Sequence, residues 1–229
     1  MTSKTHKKTS TTGSKNSLED YPKGARKLIL TAERLFGQHG FDNVSLRQIV
    51  TASGQANNYA VQHHFGSKEG LIEAIFTIRM AVLDAARGEF LNVMKKSGEL
   101  TTENIIKAIM MPILEAFDEK ERHLYADFMF HLFHRDKIHA NSIISGDVPE
   151  YANFAPAVNE LNTLLRKQLA HLPAGVFNTR YRLAAELFLS GLNERKRISH
   201  NKGNSYTNLE VFWKDMLKLS VVIFTTPYP

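Results

Sequence analysis

The chain has 229 residues, 43% of them apolar and 23% charged, a composition typical of a folded protein with one large domain or two smaller ones. It contains no cysteine, which excludes disulfide bonds, thiolate zinc sites and cysteine nucleophiles and fits a reducing cytoplasm. Residues 1–70 carry a surplus of five positive charges out of the net +6, as expected if the first third of the chain contacts a polyanion.

Residues 1–22 are predicted to form a disordered basic tail. Residues 1–20 contain almost no large apolar side chain, so they cannot bury enough surface to offset the entropy of ordering. No apolar stretch follows the lysines, as a secretion signal would require, and no apolar run in the chain approaches the roughly 20 residues that span a bilayer. We expect a cytoplasmic protein without a membrane segment, whose tail is either simply solvated or adds affinity for DNA.

The first predicted helix begins at Gly24. Apolar residues recur from there at spacings of three and four, which places them on one face of a helix. Gly40 follows His39 and precedes Phe41, an arrangement typical of a left-handed glycine cap. The pattern therefore predicts that the helix ends at residue 39.

A second, short helix is predicted after residue 44. Ser45 and Gln48 have the spacing of a capping box, in which each side chain satisfies a free amide of the first turn. Val44 and Ile49 are placed as the hydrophobic staple that accompanies such a cap. Ser53 and Gly54 are expected to end this helix after about two turns.

Two more helices follow. A third short helix is predicted from Asn57 to about His63, with Gly66 as its breaker. Ser67 is expected to cap a long fourth helix that runs to Ser97 and Gly98. At about 1.5 Å per residue this helix would be roughly 45 Å long, enough to link two domains.

The rest of the chain also predicts helices. Helical patterns occupy five segments, near residues 102–117, 120–135, 150–172, 177–199 and 208–224. No segment alternates apolar and polar residues for long enough to predict a strand. The predicted fold class is all-α, with an N-terminal three-helix helix-turn-helix domain and a C-terminal helical domain.

The order of these motifs resembles the tetracycline-repressor (TetR) family of transcriptional regulators. An amphipathic helix ends in HGF (39–41), and the capped stretch VSLRQI (44–49), a glycine turn and HFGSKEGL (64–71) follow. The resemblance covers about residues 24–80. It implies a helix-turn-helix DNA-binding domain at residues 23–70 and an effector-binding and dimerisation domain at residues 71–229. The chain departs from the commonest family pattern by one added residue between the turn glycine and the Phe of HFG.

The third helix is the predicted recognition helix. The major groove admits one α-helix, and short amide, hydroxyl and aromatic side chains can contact the base edges there. Ala60 and Val61 are expected to face inward. The candidate base-contacting residues are Gln55, Asn57, Asn58, Tyr59, Gln62 and His63. The alternative is that Asn57 caps the helix and the others form an ordinary solvated face.

Phosphate contacts are predicted at the starts of two helices. Lys68 lies in the first turn of the fourth helix, where free amides favour an anion, and the family resemblance implies a backbone-contacting Lys there. Ser45 and Arg47 occupy the comparable place on the second helix. For Arg47 the alternative is a surface ion pair, for instance with Asp42.

The second domain is predicted to hold a mostly apolar effector pocket. Pro112 interrupts a helical pattern within a segment rich in Met and Phe, and a kinked helix can border a cavity. Lining is expected from residues 106–134 and 161–188. The candidate effector-binding residues are Met110, Met111, Phe117, Phe128, Met129 and His131. The alternative is that they are simply core.

The histidines of this region suggest a metal site only weakly. His131 and His134 are three residues apart, a spacing that metal ligands use, and His123 and His139 are nearby in the sequence. Without cysteine or a paired HExxH-like motif, we expect no metal and no cofactor. A polar anchor within the pocket is the preferred role for His131.

The last two helices are predicted to pair two copies of the chain. The final helix is apolar on more than one side, which suits a two-fold, four-helix interface better than packing on one neighbour. We therefore expect a homodimer on a roughly palindromic double-stranded DNA operator, without enzymatic activity and most simply a repressor released by a small apolar effector. One alternative is a DNA-binding protein without an effector, which acts architecturally or through a protein partner. Another is an all-helical enzyme that uses the histidines.

Overall fold

The computed structural model of the protein describes residues 15–57, 59–135, 155–198 and 205–229, and within them it contains only helices, turns and loops. This confirms the predicted all-α fold for the described residues. Two short 3-10 turns lie at Leu18–Asp20 and Ser205–Thr207. The α-helices are α1 (Lys23–His39), α2 (Leu46–Ala52), α3 (Ala60–Phe65), α4 (Lys68–Ser97), α5 (Thr102–Glu115), α6 (Glu119–Arg135), α7 (Pro156–Gln168), α8 (Ala174–Ile198) and α9 (Leu209–Thr225).

The first three helices share one small core with the start of α4. Leu28 and Phe36 of α1 are fully buried, and Ile49 of α2 and Leu71 of α4 join them. The predicted capping box at the start of α2 is present, because the Gln48 amide donates to Ser45 Oγ while Gln48 Oε1 accepts from the Ser45 amide. Local capping and apolar spacing therefore position the α2–α3 pair on α1.

Two details differ from the sequence-based expectations. Residues 15–20 were expected to lack structure, but Ser17 caps a 3-10 turn and the Lys15 ammonium lies over the Tyr21 ring. The tail before residue 15 lies outside the described residues. Gly40 has the predicted positive φ of 76°, but its ψ is 161°, so the chain leaves α1 extended rather than in the left-handed helical conformation.

The long helix α4 connects the two halves of the molecule. Ser67 caps it, since its Oγ accepts from the Gly70 amide at 3.0 Å, and Gly98 ends it with φ of 75° and ψ of 8°. Both ends are as predicted. With 30 residues the helix is roughly 45 Å long.

Helices α5 and α7 pack on α4, α6 packs between α1 and α8, and α9 packs on α8 and α5. Their bounds lie close to the predicted ones, although α7 ends at Gln168 rather than residue 172, because Pro173 precedes the next helix, which begins at Ala174. Residues 150–154 of the predicted segment and residue 199 lie outside the described residues. Helix α5 continues through Pro112, with its last turn closed by the Ala116 amide on the Pro112 carbonyl.

Two glycines mark unusually close helix contacts. A Cβ on Gly37 of α1 would lie 2.9 Å from Asp127 Cβ of α6. A Cβ on Gly191 of α8 would lie 2.8 Å from the Phe212 ring of α9. Real Cβ atoms do not approach this closely, so each pair of helices packs at a distance that only glycine allows. The first contact joins α1 to α6, and the second joins the last two helices.

Candidate nucleic-acid interface and ligand cavity

Helix α3 presents a small polar surface on a buried base. Ala60 and Val61 face the core, as predicted, and are almost fully buried. The remaining exposed side chains form what we call the α3 surface, which consists of Asn57, Tyr59, Gln62 and His63. Tyr59 is 73% exposed, which is unusual for a large aromatic ring on a protein surface. Asn58 lies outside the described residues.

The turn before α3 is longer than the sequence predicted. Helix α3 begins at Ala60, three residues later than predicted, so Asn57 and Tyr59 precede it. The Asn57 side-chain oxygen accepts from the Tyr59 amide at 2.9 Å, and the Asn57 carbonyl accepts from the Ala60 amide at 3.0 Å. The alternative that Asn57 caps the helix is therefore wrong, because Tyr59 is the N-cap and no side chain of the described residues caps α3; Asn57 instead closes the turn before the helix and remains exposed.

Gln55 is used in part to hold the turn against α1. Its Nε2 donates to the Gly24 carbonyl at 2.8 Å, and the side chain is half-buried. This contact spans 31 positions in the sequence, so local spacing could not predict it. Of the predicted base-contacting residues that the structure describes, Gln55 is thus the least available for DNA.

Lys68 makes contacts within the protein through its ammonium group. Its ammonium donates to the Phe41 carbonyl and lies 5.7 Å from the centre of the Phe36 ring. Burial lowers the pKa of Lys68, as does the nearby Arg135, while Asp42 and Glu69 act in the opposite direction. Since an ammonium has three donors, the bond to Phe41 leaves others for an anion at the start of α4.

Arg47 is exposed in the first turn of α2. The suggested ion pair with Asp42 is not formed, because Asp42 lies 4.0 Å from Arg135 instead. Within the ranges that the structure describes, no ion pair involves Arg47. Ser45 is also exposed, although its hydroxyl already participates in the capping box. Arg47 is therefore an exposed cation in the first turn of α2 that no carboxylate of the described residues pairs with.

His63 packs edge-on against its neighbour His64, with ring centres 4.7 Å apart. Burial lowers the pKa of His64, and the charges of His63 and Lys15 lower it further. His64 is therefore held neutral at neutral pH, and only His63 of the pair is fully exposed.

Comparison with known proteins agrees with this geometry. Residues 28–75 match the family described as bacterial regulatory proteins, tetR family. The N-terminal domain belongs to the tetR family. This confirms the resemblance predicted from the HGF, VSLRQI and HFGSKEGL motifs.

Two curated relatives extend the likeness of this tetR-family domain. The chain is 34% identical over 97 residues to proteins named HTH-type transcriptional repressor AcnR from Corynebacterium glutamicum and Corynebacterium efficiens. The match covers 42% of this chain and 44% of each relative, so it spans less than half of their length.

The helices beyond this tetR-family domain enclose a mostly apolar cavity of about 80 Å³. Side chains from α4, α5, α6, α7, α8 and α9 line it. Met110 and Met129, which the sequence suggested, are among the lining residues. Tyr125 and Tyr181, which lie within the predicted lining segments, also line the cavity, and Arg87, which lies outside them, adds a positive charge.

The other predicted pocket residues lie elsewhere. Phe128 is fully buried with its ring 5.4 Å from Phe41, and His131 faces Gly40 and Phe41, so both belong to the contact between α6 and the first domain. Phe117 packs on Tyr125 and under the Arg79 guanidinium. Met111 is only half-buried, on the side of α5 away from the cavity lining.

Arg87 is the functional candidate that sequence reasoning missed. Leu83, Arg87 and Leu91 are spaced by four residues, and all three are buried, so the arginine lies within the apolar stripe of α4. A single charged residue within such a stripe was the available signal. Its Nε donates to the Ile109 carbonyl at 3.2 Å.

The described residues contain neither a metal-type cluster nor a membrane-spanning helix. Across residues 15–57, 59–135, 155–198 and 205–229, no three His, Asp or Glu side chains converge on one point. His139 lies outside these ranges. In the same part of the chain, none of the helices combines the length and apolarity that crossing a bilayer requires.

The last two helices carry an exposed apolar face. Val222 is 57% exposed on α9, and Val211, Leu219 and Leu183 of α8 and α9 are also exposed. The opposite side of α9 is buried on α8, with Phe212 and Met216 against Gly191. Apolar residues therefore occupy more than one side of α9, as the sequence predicted.

Proposed function

We propose that the protein is a homodimeric, DNA-binding transcriptional regulator that acts as a repressor. The observation that carries the proposal is the α3 surface, an exposed set of amide, imidazole and phenol groups held on the rigid base of Ala60 and Val61 within a tetR-family domain. Such side chains can contact base edges in a major groove. Two relatives that match 97 residues of the chain are named transcriptional repressors, which supports repression as the direction of control.

Arg47 and Lys68 are proposed to position this surface on the duplex. Both lie at helix starts, where unpaired amides and the helix dipole favour a phosphate. Ser45 is proposed to contribute a hydroxyl beside Arg47. Phosphate contacts of this kind fix the orientation of a domain without selecting a sequence. Sequence preference would then come from Asn57, Tyr59 and their neighbours, with Asn58 included as a candidate.

The exposed apolar face of α8 and α9 supports a two-fold dimer. Burying Val222 and its neighbours against the same face of a second copy would remove them from water and produce a symmetric interface. A two-fold dimer carries two copies of the α3 surface, which suits two half-sites in successive major grooves. The proposed operator is therefore roughly palindromic.

The cavity supports control by a small, mostly apolar effector. Helix α6 lines the cavity through Met129 and contacts the tetR-family domain through Phe128 and His131. A ligand that prefers one position of α6 would bias the separation of the two α3 surfaces. It could change DNA affinity by no more than its difference in affinity for the two states.

Selection of duplexes from a random library by the purified full-length protein tests this function. We expect the selected sequences to contain two related half-sites. Tyr59→Ala should change the preferred half-site, whereas Tyr228→Ala, which alters an exposed tyrosine at the other end of the chain, should not. Equal loss of affinity for all duplexes in Tyr59→Ala would contradict base recognition, and no selected sequence would refute the proposed function.

A further inference from the structure

The guanidinium of Arg87 is buried inside the apolar cavity with part of its hydrogen-bonding capacity unused. The residue is 4% exposed, and its Nε donates to the Ile109 carbonyl. Its Nη1 is buried and has no hydrogen-bond acceptor in the part of the chain that the structure describes. An arginine keeps its positive charge in proteins, and buried donors almost always have partners.

No carboxylate forms a direct ion pair with Arg87 among the described residues. The ion pairs within the described ranges, at a limit of 4.0 Å, do not include Arg87. On the same helix, the buried Asp84 lies one turn earlier, and its two oxygens accept from the Ala157 and Val158 amides at 2.9 and 2.7 Å. The Asp84 carboxylate therefore binds the first turn of α7, and the Arg87 guanidinium lines the cavity.

Two phenols lie around the same cavity. Burial raises the pKa of Tyr125 and of Tyr181, and the Arg87 charge offsets part of both rises; a hydrogen bond with Arg87 offsets more of the rise for Tyr125. Both side chains therefore stay protonated at neutral pH and can donate a hydrogen bond. Together with Arg87 they form a small group of donors on an otherwise apolar wall that includes Met110, Met129 and Phe188.

We propose that the cavity binds a small monocarboxylate, which accepts hydrogen bonds from the Arg87 guanidinium and places its apolar tail among the methionine and phenylalanine side chains. One buried cation matches one anionic charge, and the fork of a guanidinium matches the two oxygens of a carboxylate. The apolar wall excludes a strongly hydrated polyanion, because such an anion would lose its water without compensation. This inference rests on the proposed function only in taking the cavity as the effector site.

The size of the cavity limits the tail. A cavity of about 80 Å³ is smaller than the roughly 150 Å³ apolar cavity that admits benzene. The ligand is therefore a short chain or a single ring, and even this requires some adjustment. Met80, Met110 and Met129 line the cavity, and methionine side chains adapt their shape readily.

Calorimetric titration of the purified full-length protein tests this assignment. Hexanoate is compared with 1-hexanol, and benzoate with benzyl alcohol, so that each pair differs in the carboxylate and the two pairs distinguish straight-chain from aromatic sources. We expect at least one carboxylate to bind about tenfold or more tightly than its alcohol. Equal affinities within both pairs, or no binding of any of the four, would overturn the assignment.

Variants then locate the site. Arg87→Met should abolish the preference for the carboxylate and leave alcohol binding intact, whereas Arg182→Met, which removes an arginine paired with Glu186 on the surface of α8, should change neither. Ala185→Leu keeps Arg87 and fills the cavity, so it should weaken both ligands, and it remains informative if Arg87→Met does not fold. Unchanged carboxylate binding in Ala185→Leu would show that the ligand binds elsewhere.

DNA binding is measured separately on the same preparations. Carboxylate selectivity without any binding to DNA would refute the proposed regulator and leave the cavity assignment standing. Sequence-specific DNA binding without carboxylate selectivity would refute the cavity assignment and leave the proposed regulator standing. The two proposals can therefore fail independently.

Discussion

The guanidinium of Arg79 in α4 donates two hydrogen bonds to the Glu33 carboxylate in α1, with 2.8 Å between Nε and Oε1 and 2.9 Å between Nη2 and Oε2. Glu33 is 1% exposed. The same guanidinium reaches Glu121 of α6 at 3.2 Å and covers the Phe117 ring. One side chain therefore connects the tetR-family domain, the long linking helix and the cavity domain.

We expect Glu33→Gln to destabilise the protein by about 3 kcal/mol, because it leaves the arginine without its buried counter-charge. Urea unfolding followed by circular dichroism measures this change. Glu121→Gln is the matched control, since this carboxylate meets the same guanidinium at the surface and should cost less than about 1 kcal/mol. A larger effect for Glu121→Gln than for Glu33→Gln would refute this ranking.

Arg47→Gln should reduce the salt dependence of DNA binding. Each lost phosphate contact lowers the slope of log K against log salt by about 0.9. Lys68→Gln should act in the same direction and also lower stability, because it breaks the bond to the Phe41 carbonyl. Fluorescence anisotropy over a range of salt concentrations measures the slope. Lys96→Gln, at the far end of α4, serves as the control, and an unchanged slope in both test variants would contradict phosphate contacts.

Val222→Glu should separate the proposed dimer. A carboxylate in the middle of an apolar interface would weaken association by at least about 2 kcal/mol, roughly a thirtyfold change in the dissociation constant. Sedimentation analysis measures the mass, and operator affinity should fall with it. Val93→Glu introduces the same charge at an exposed valine of α4 and should remain dimeric. A Val222→Glu dimer of unchanged affinity would place the interface elsewhere.

Stability should fall as the pH is lowered, in part through His123. Burial lowers the pKa of His123 below its ordinary value of 6.5, and the Lys196 charge lowers it further. The unfolded chain therefore takes up the proton first, so the stability present above pH 6.5 is lost as the pH falls through the folded pKa. We expect His123→Gln to reduce the slope of unfolding free energy against pH below 6.5.

Lys196→Gln provides a graded comparison for this prediction. This substitution removes the Lys196 charge, which is the second cause of the lowered His123 pKa, and leaves burial, which is the first. Its slope should therefore lie between those of the wild type and His123→Gln. A slope in His123→Gln identical to that of the wild type would show that another group carries the acid sensitivity.

The helix boundaries that depend on neighbouring residues could be predicted from the sequence. Ser45 with Gln48, and Ser67 at the start of α4, satisfy free amides within a turn of themselves, and Gly98 ends α4 with a positive φ, so short motifs determine these boundaries. The start of α3 could not be predicted this way. The turn before it is held by Gln55, whose partner, Gly24, is distant in the sequence.

Apolar spacing predicted that α6 is buried but not what it is buried against. Tyr125 and Met129 face the cavity, whereas Phe128 and His131 face the first domain, and both rows have the same helical spacing. The sequence placed Phe128 and His131 in the cavity because periodicity identifies a face and not its neighbour. Arg87 was overlooked because apolar spacing gives no reason to expect a buried charged side chain. Only its partners in the folded structure show why it is there.

The close approach at Gly37 has a mechanical meaning. Side chains normally separate two packed helices and absorb small shifts by changing rotamer, but here the backbone of α1 lies almost directly on Asp127 of α6. Because no side chain separates the two helices at this point, even a small shift of α6 would displace α1 and the α2–α3 pair that packs on it. A shift of α6 at the cavity would then also move α2 and α3, and in the proposed dimer it would change the distance between the two copies of α3.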